Sequence, residues 1–242
     1  MNTPLNIQHG HLNFQPRIIG KEKACFRLMK LFPQFVFDIA KLEGSPYTFP
    51  QVQTLLEGIT IGGKRLEDQQ LILNQRDSLQ QLLRLVKKDK FMITKDIFCQ
   101  LHELVAYEEA LTWGKFRNGS VSIAGTDYSP PESMQLDHIF EEIVNYLQTI
   151  QNPLESAMLF FLMGSLAQFF FDGNKRTSRL MMNGILLNSG IDAISIPAKK
   201  KLAFNKKMLA FYNTRNANDI LKFLCSIAGY RVKKYKNNYM LN

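Results

Sequence analysis

Apolar residues recur at helical spacing through most of the chain. Phe35, Ile39 and Leu42 fall at i, i+4 and i+7 before Gly44 stops the run, which predicts a helix from about residue 33. Ser45-Pro46-Tyr47 reads as a turn. Thr48, with Gln51 three residues later, reads as a capping box opening a short helix that carries Val52, Leu55 and Leu56. Gly62-Gly63 closes the next loop. Ile72, Leu79, Leu82, Leu83 and Val86 mark a long amphipathic helix; Ile97, Leu101, Leu104 and Val105 mark another, and Ile139, Ile143, Tyr146 and Leu147 a third. Two strongly apolar segments, about 155–168 and 175–188, predict a pair of helices joined by a short turn.

Between Gly114 and Pro131 the period changes. Gly119-Ser-Val-Ser-Ile-Ala-Gly125-Thr-Asp-Tyr-Ser-Pro-Pro alternates polar and apolar residues between turn formers, which predicts a small β-hairpin or an extended flap. No internal repeat interrupts the sequence, so the expected fold class is all-α: a helical bundle with one hairpin laid on it. The opening stretch, MNTPLNIQHGHLNFQP, is expected to be loosely held.

Composition changes this picture little. At 242 residues and 45% apolar content the chain is long enough for one sizeable core. The start lacks the basic and apolar regions of a secretory signal, and no stretch reaches the roughly 18 uninterrupted apolar residues of a membrane span. Cys25, Cys99 and Cys225 are scattered without metal-ligand spacing. The expectation is a cytoplasmic protein of a reducing compartment, with no membrane partner.

The net charge of +9 gathers in Lys199, Lys200, Lys201, Lys206 and Lys207 and again in Arg231, Lys233, Lys234 and Lys236. Both clusters read as solvated faces, because aromatics are not interleaved with the cations and no recognition-helix pattern accompanies them. A nucleic-acid-binding scaffold is therefore the weakest of the readings kept.

Residues 168–179, QFFFDGNKRTSR, carry the chemistry. Asp172-Gly173-Asn174 joins the two apolar helices, so its backbone N–H groups and the positive end of the second helix dipole share one small space. Gly173 permits close approach, and Arg176 and Arg179 lie three apart on one helical face, able to grip different phosphates. Asp172 would repel such an anion unless a cation lay between them, the usual setting of a Mg²⁺ ligand. A turn chosen for conformation, with Asp172 paired to Arg176, is the plainer reading of a lone DGN. Here all four residue types stand together after a buried helix.

The stretch closely resembles the signature of the Fic family, H-x-F-x-(D/E)-G-N-x-R-x-x-R, matched at Phe170, Asp172, Gly173, Asn174, Arg176 and Arg179. GKFRNGSVSIAGTDYSPP resembles the family's flap, and FDIAKLEGSPYTFPQVQTLLEGITIGG the region preceding the core in its autoinhibited members. The resemblance covers about 35–224. It implies a Fic-type helical bundle in which ATP lies along the motif and AMP passes to a hydroxyl of a protein target. Asp172 would hold Mg²⁺; Gly173, Asn174 and Arg176 would take the α- and β-phosphates and Arg179 the γ-phosphate, with Lys175 also among the nucleotide-binding residues. Val121, Ser122, Ile123 and Ala124 would align the target as an added strand. Phe170 is expected in the core. The implied organisation is an N-terminal extension (1–32), a helical inhibitory region (33–62), the Fic core (63–228) and a basic tail (229–242).

Two positions depart from the family. Gln168 stands where the family has the histidine that takes the proton from the attacking hydroxyl, and an amide has no useful basic site. Losing a general base typically costs about 10²- to 10⁴-fold in rate. His9, His11, His102 and His138 lie far from the motif in sequence and receive no catalytic role. Autoinhibited relatives carry (S/T)-x-x-x-E-(G/N); Glu43-Gly44 matches its end, with Ile39 in the hydroxyl slot, and an ion pair from Glu43 to Arg179 is expected. Glu57-Gly58 offers a competing match that reads as an ordinary helix end. The reading is a nucleotide-binding Fic-fold protein of weak or absent AMP transfer. An active AMP- or other phosphate-group transferase with a Gln-containing site is its alternative.

Overall fold

The structure, a computed structural model, describes residues 3–10 and 16–229. His11 and the basic cluster Arg231, Lys233, Lys234 and Lys236 lie outside the described residues. In chain order the helices are α1 (Lys21–Lys30), α2 (Phe32–Leu42), α3 (Phe49–Leu56), α4 (Leu66–Lys87), α5 (Lys95–Val105), α6 (Leu136–Gln148), α7 (Pro153–Ala167), α8 (Asn174–Asn188), α9 (Lys201–Thr214) and α10 (Asn218–Ile227).

Local sequence starts these helices where capping chemistry permits. The Gln51 side chain accepts from the Thr48 N–H at 2.9 Å, completing the reciprocal box at the head of α3. Thr94 Oγ1 accepts from Ile97 N–H ahead of α5. Asn152 Oδ1 accepts from the N–H groups of Leu154 and Glu155, with Pro153 at the first helical position of α7.

The centre of the molecule is the antiparallel pair α7 and α8. From Ser156 to Ala167 every residue of α7 is buried, and of α8 only Lys175 and Asn188 escape burial. A helix apolar on all sides must be surrounded. Accordingly α6 packs on α7, α4 and α5 pack on α8, and α2 and α3 lie on α4. Phe98 of α5 stacks or edges against Phe116, Phe140, Phe160, Phe169 and Phe170, so two of the three aromatics before Asp172 anchor the motif in the core. Phe171 alone of the three is half-buried.

Close approach sets one position strictly. A Cβ on Gly184 of α8 would lie 2.1 Å from the Phe91 ring and 2.9 Å from Leu82 Cδ1. Gly184→Ala is expected to cost about 1–3 kcal/mol by overpacking, read as a lower urea midpoint with the slope unchanged.

Two expectations need correction. Residues 3–10 are not loosely held: Ile7 is buried in the core, Gln8 N–H donates to Arg215 O and Ala217 N–H donates to Gln8 O, both at 2.8 Å. The partner backbone at 215–217 comes from the link between α9 and α10, which the N-terminal sequence could not indicate. The hairpin also differs. Among the described residues the β-type pairs are the isolated bridges Gln8 with Asn216 and Ile18 with Ile191, and none falls in 114–131. That segment is gathered instead by buried Arg117, whose guanidinium donates to the carbonyls of Gln168, Gly119 and Pro131. One side chain satisfies carbonyls that a strand ladder would otherwise have paired.

Candidate functional site

The turn between α7 and α8 is built by an unbroken chain of directed hydrogen bonds. Gln168 ends α7 in the left-handed region (φ 50°, ψ 61°), and Gly173 opens α8 at φ 74°. Left-handed geometry is costly for a non-glycine residue and persists only where the surroundings impose it. Here Arg117 Nε donates to Gln168 O at 2.6 Å, and Arg117 N–H donates to Phe169 O at 2.8 Å. Asn174 closes the loop from the other side, its Oδ1 accepting from Phe170 N–H at 2.8 Å and its Nδ2 donating to Phe170 O at 2.7 Å. At Gly173 a Cβ would also meet Ala106 Cβ at 3.2 Å.

His102, fully buried in α5, supports the same turn. Its Nδ1 accepts from Gly114 N–H at 3.1 Å, which leaves Nε2 as the donor to Asp172 O at 3.0 Å. The ring stacks on Phe170 with centroids 3.6 Å apart. Burial pushes its pKa down to about 4, so the imidazole is neutral with both nitrogens engaged. In the unfolded chain the group titrates near 6.5. The folded state therefore resists protonation, and His102's contribution is intact above pH 6.5 and is lost as pH falls toward 4. The expected loss is about 3 kcal/mol. Denaturation curves of His102→Gln, which does not titrate, should be flatter across that window than those of the parent.

The charged residues form a layered cluster. Arg176, 6% exposed, donates to Glu109 Oε2 at 2.7 Å and to Val105 O at 3.2 Å, and lies 3.9 Å from Asp172. Glu109 is fixed in turn by Asn74 Nδ2 at 2.8 Å. Arg179, 5% exposed, donates to Glu43 Oε1 at 3.0 Å and to Lys175 O at 3.3 Å. Burial would raise the Glu43 pKa, but Arg179, Arg176, Lys175 and Lys201 outweigh it and hold the carboxyl below its ordinary value. Burial also lowers Arg179 against the pull of Glu43, while the surrounding carboxylates more than offset burial at Arg176.

Glu43, Asp172, Lys175 and Arg176 of this cluster border one cavity of about 170 Å³, lined by Glu43, Ser122–Ala124, Gln168, Phe171–Arg176 and Tyr212. The structure thus brings Gln168, Asp172, Gly173, Asn174, Lys175, Arg176 and Glu43 together with flap residues Ser122, Ile123 and Ala124. Val121 does not line the cavity, and Arg179 sits behind Glu43, facing a second space of about 20 Å³ with Ile39 and Gln75. Glu57 is exposed at the end of α3, so the acid on Arg179 is Glu43. His9 pairs with Tyr146 and Glu155, and His138 is exposed beside Glu142, both away from the cavity.

Two residues escaped sequence reasoning. Tyr212 reaches the cavity from α9, beside the buried Phe204, Met208 and Phe211. Glu109 sits in an undistinguished acidic pair in a loop. No group of three or more metal-capable side chains occurs among the described residues.

Fold and site define an all-helical protein that presents a glycine-opened turn, flanked by buried arginines, at the head of a central helix. Residues 92–186 match the model of the Fic/DOC family. The protein adenylyltransferase Fic of Drosophila mojavensis is 24% identical over 200 residues, 81% of this chain and 39% of that protein, so this chain spans about two fifths of the relative's length. Among solved structures, Fic-1 from C. elegans has a TM-score of 0.72 at 22% identity, covering 85% of this chain and 63% of that one. IbpAFic2 covalently tethered to Cdc42 has a TM-score of 0.51 at 15% identity, covering 90% and 66%. These likenesses establish the fold.

Proposed function

We propose that the cavity binds the phosphates of ATP and that the chain derives from AMP-transferring enzymes, with slow transfer to hydroxyl acceptors because Gln168 replaces a general base. The observation that carries this reading is the shared wall: Asp172–Arg176, Gln168 and flap residues Ser122, Ile123 and Ala124 border one space. Gly173, Asn174, Lys175 and Arg176 take the α- and β-phosphates at the start of α8. Glu43 masks Arg179, the partner of the γ-phosphate, so the bound carboxylate and the terminal phosphate compete. The reading is supported by relatives named protein adenylyltransferase Fic and by the tethering of IbpAFic2 to Cdc42, which favour a protein as the carrier of the acceptor.

The family implies Mg²⁺ with the nucleotide, and the donor set fits it. Asp172 is two-thirds exposed; Oδ1 accepts from Gly173 N–H at 2.6 Å, and Oδ2 is unengaged. One carboxylate suits an ion that keeps water and phosphate oxygens as its other ligands. Bound there, Mg²⁺ would neutralise phosphate charge beside Asp172.

Equilibrium dialysis with labelled ATP tests the site. Binding is expected to strengthen with Mg²⁺ in the parent and to lose that dependence in Asp172→Ala. ATP that does not bind, with or without Mg²⁺, sinks the reading.

A further inference from the structure

The orientation of the Gln168 amide is set from both ends. Phe170 N–H donates to Asn174 Oδ1, so Asn174 must present Nδ2 to its other partners, Phe170 O and Gln168 Oε1, the latter at 3.1 Å. Gln168 Oε1 therefore faces Asn174, and Nε2 donates to Ser165 O at 2.6 Å. Flipping the amide would set donor against donor at one end and acceptor against acceptor at the other. An amide nitrogen has two hydrogens. One is committed to Ser165, and Gln168 lines the cavity, so the second N–H is available as a donor to an incoming group, while Oε1 already accepts from Asn174.

The other titratable groups around the cavity do not supply a base. Glu43 is engaged by Arg179. Tyr212 is buried, which raises its pKa and keeps its hydroxyl protonated. His102 has both nitrogens engaged and does not line the space. Asp172 would hold the Mg²⁺ that the family implies with the nucleotide. A donor at position 168 with cations around it is complementary to an oxygen that is already an anion, and mismatched to a hydroxyl that must lose its proton.

We infer that the acceptor used by this site is a phosphate oxyanion, either orthophosphate or a phosphate monoester, recognised by the Gln168 Nε2–H. The inference rests on the ATP-binding reading above and adds the chemical class of the acceptor to it. In the step, an oxygen of the acceptor phosphate bonds to the α-phosphorus of ATP while the α,β-bridging P–O bond breaks. Pyrophosphate departs with that electron pair, and no proton leaves the attacking oxygen. With orthophosphate the products are ADP and pyrophosphate; with a phosphoserine peptide the product carries AMP on the peptide phosphate.

The experiment uses the full chain carrying Glu43→Gly, with α-labelled ATP, Mg²⁺ and three acceptors: orthophosphate, a phosphoserine peptide and the same peptide with serine. The phosphate acceptors are expected to be labelled at least about tenfold faster than serine, and which of the two is faster identifies the source. Adding Gln168→His should raise the serine rate by about 10²- to 10⁴-fold without raising the phosphate rates, because only the hydroxyl needs a base. In the parent chain loaded with a non-hydrolysable ATP analogue, the Gln168 side-chain amide resonances should move as orthophosphate is added. Serine labelled as fast as phosphate before the histidine is introduced overturns the inference. So do bound ATP with no labelled ADP or phosphopeptide, and amide resonances that stay still. ATP that fails to bind at all overturns both this inference and the nucleotide site.

Discussion

Gln168→His, introduced with Glu43→Gly, is expected to raise AMP transfer to a protein hydroxyl by about 10²- to 10⁴-fold over Glu43→Gly alone. The backbone is already in place. Histidine tolerates left-handed geometry better than most residues, and the Gln168 carbonyl is held by Arg117 Nε, a bond that does not depend on the side chain at 168. An imidazole at this position can donate one ring N–H to Ser165 O and keep the other nitrogen free to accept a proton, which the carboxamide cannot do. ATP affinity should change little, since the groups proposed to hold the phosphates belong to residues 173–176 and Arg179 rather than to position 168. Labelled-ATP transfer to lysate proteins measures the effect. A double variant that binds ATP and remains silent would show that more than the missing base limits the reaction.

Glu43→Gly by itself should shift two quantities in opposite directions. Without ligand, Arg179 is left as a buried charge without its carboxylate, a loss of about 3–5 kcal/mol for a broken buried pair. The unliganded protein should melt earlier. The same cleavage of the pair uncovers Arg179 for a terminal phosphate, so ATP should bind more tightly and recover much of the lost stability by mass action. Thermal melts with and without ATP, beside calorimetric titrations of both proteins, separate these effects. Equal ATP affinity in parent and variant removes Glu43 from any inhibitory role. The pH dependence has a definite sign: the Glu43 pKa is lowered on folding, so the pair's contribution is present above about pH 4.5 and fades as acid protonates the carboxyl.

Helices were legible wherever a periodic apolar face coincided with a cap. Thr48 with Gln51 opened α3 as read, and α7 and α8 lie within two residues of the apolar runs that predicted them. The helix α1 went unassigned, although Ala24, Cys25 and Leu28 mark its buried side, because polar residues dominate the rest of its surface. The pair between Glu43 and Arg179, 136 residues apart, was anticipated only through the resemblance to autoinhibited family members and is realised at 3.0 Å.

By itself the sequence determined the all-helical class, the two buried central helices and the charged turn between them, since periodicity, caps and a glycine at positive φ act over a few residues. Tertiary structure alone decided that Arg117 gathers 114–131 without a strand pair, that residues 3–10 are anchored at 215–217, and that Tyr212 and Glu109 join the site. It also decided which way the Gln168 amide points. Each of these depends on a donor meeting an acceptor from a distant part of the chain, and only the packing of α5, α7, α8 and α9 brings such partners within hydrogen-bond reach.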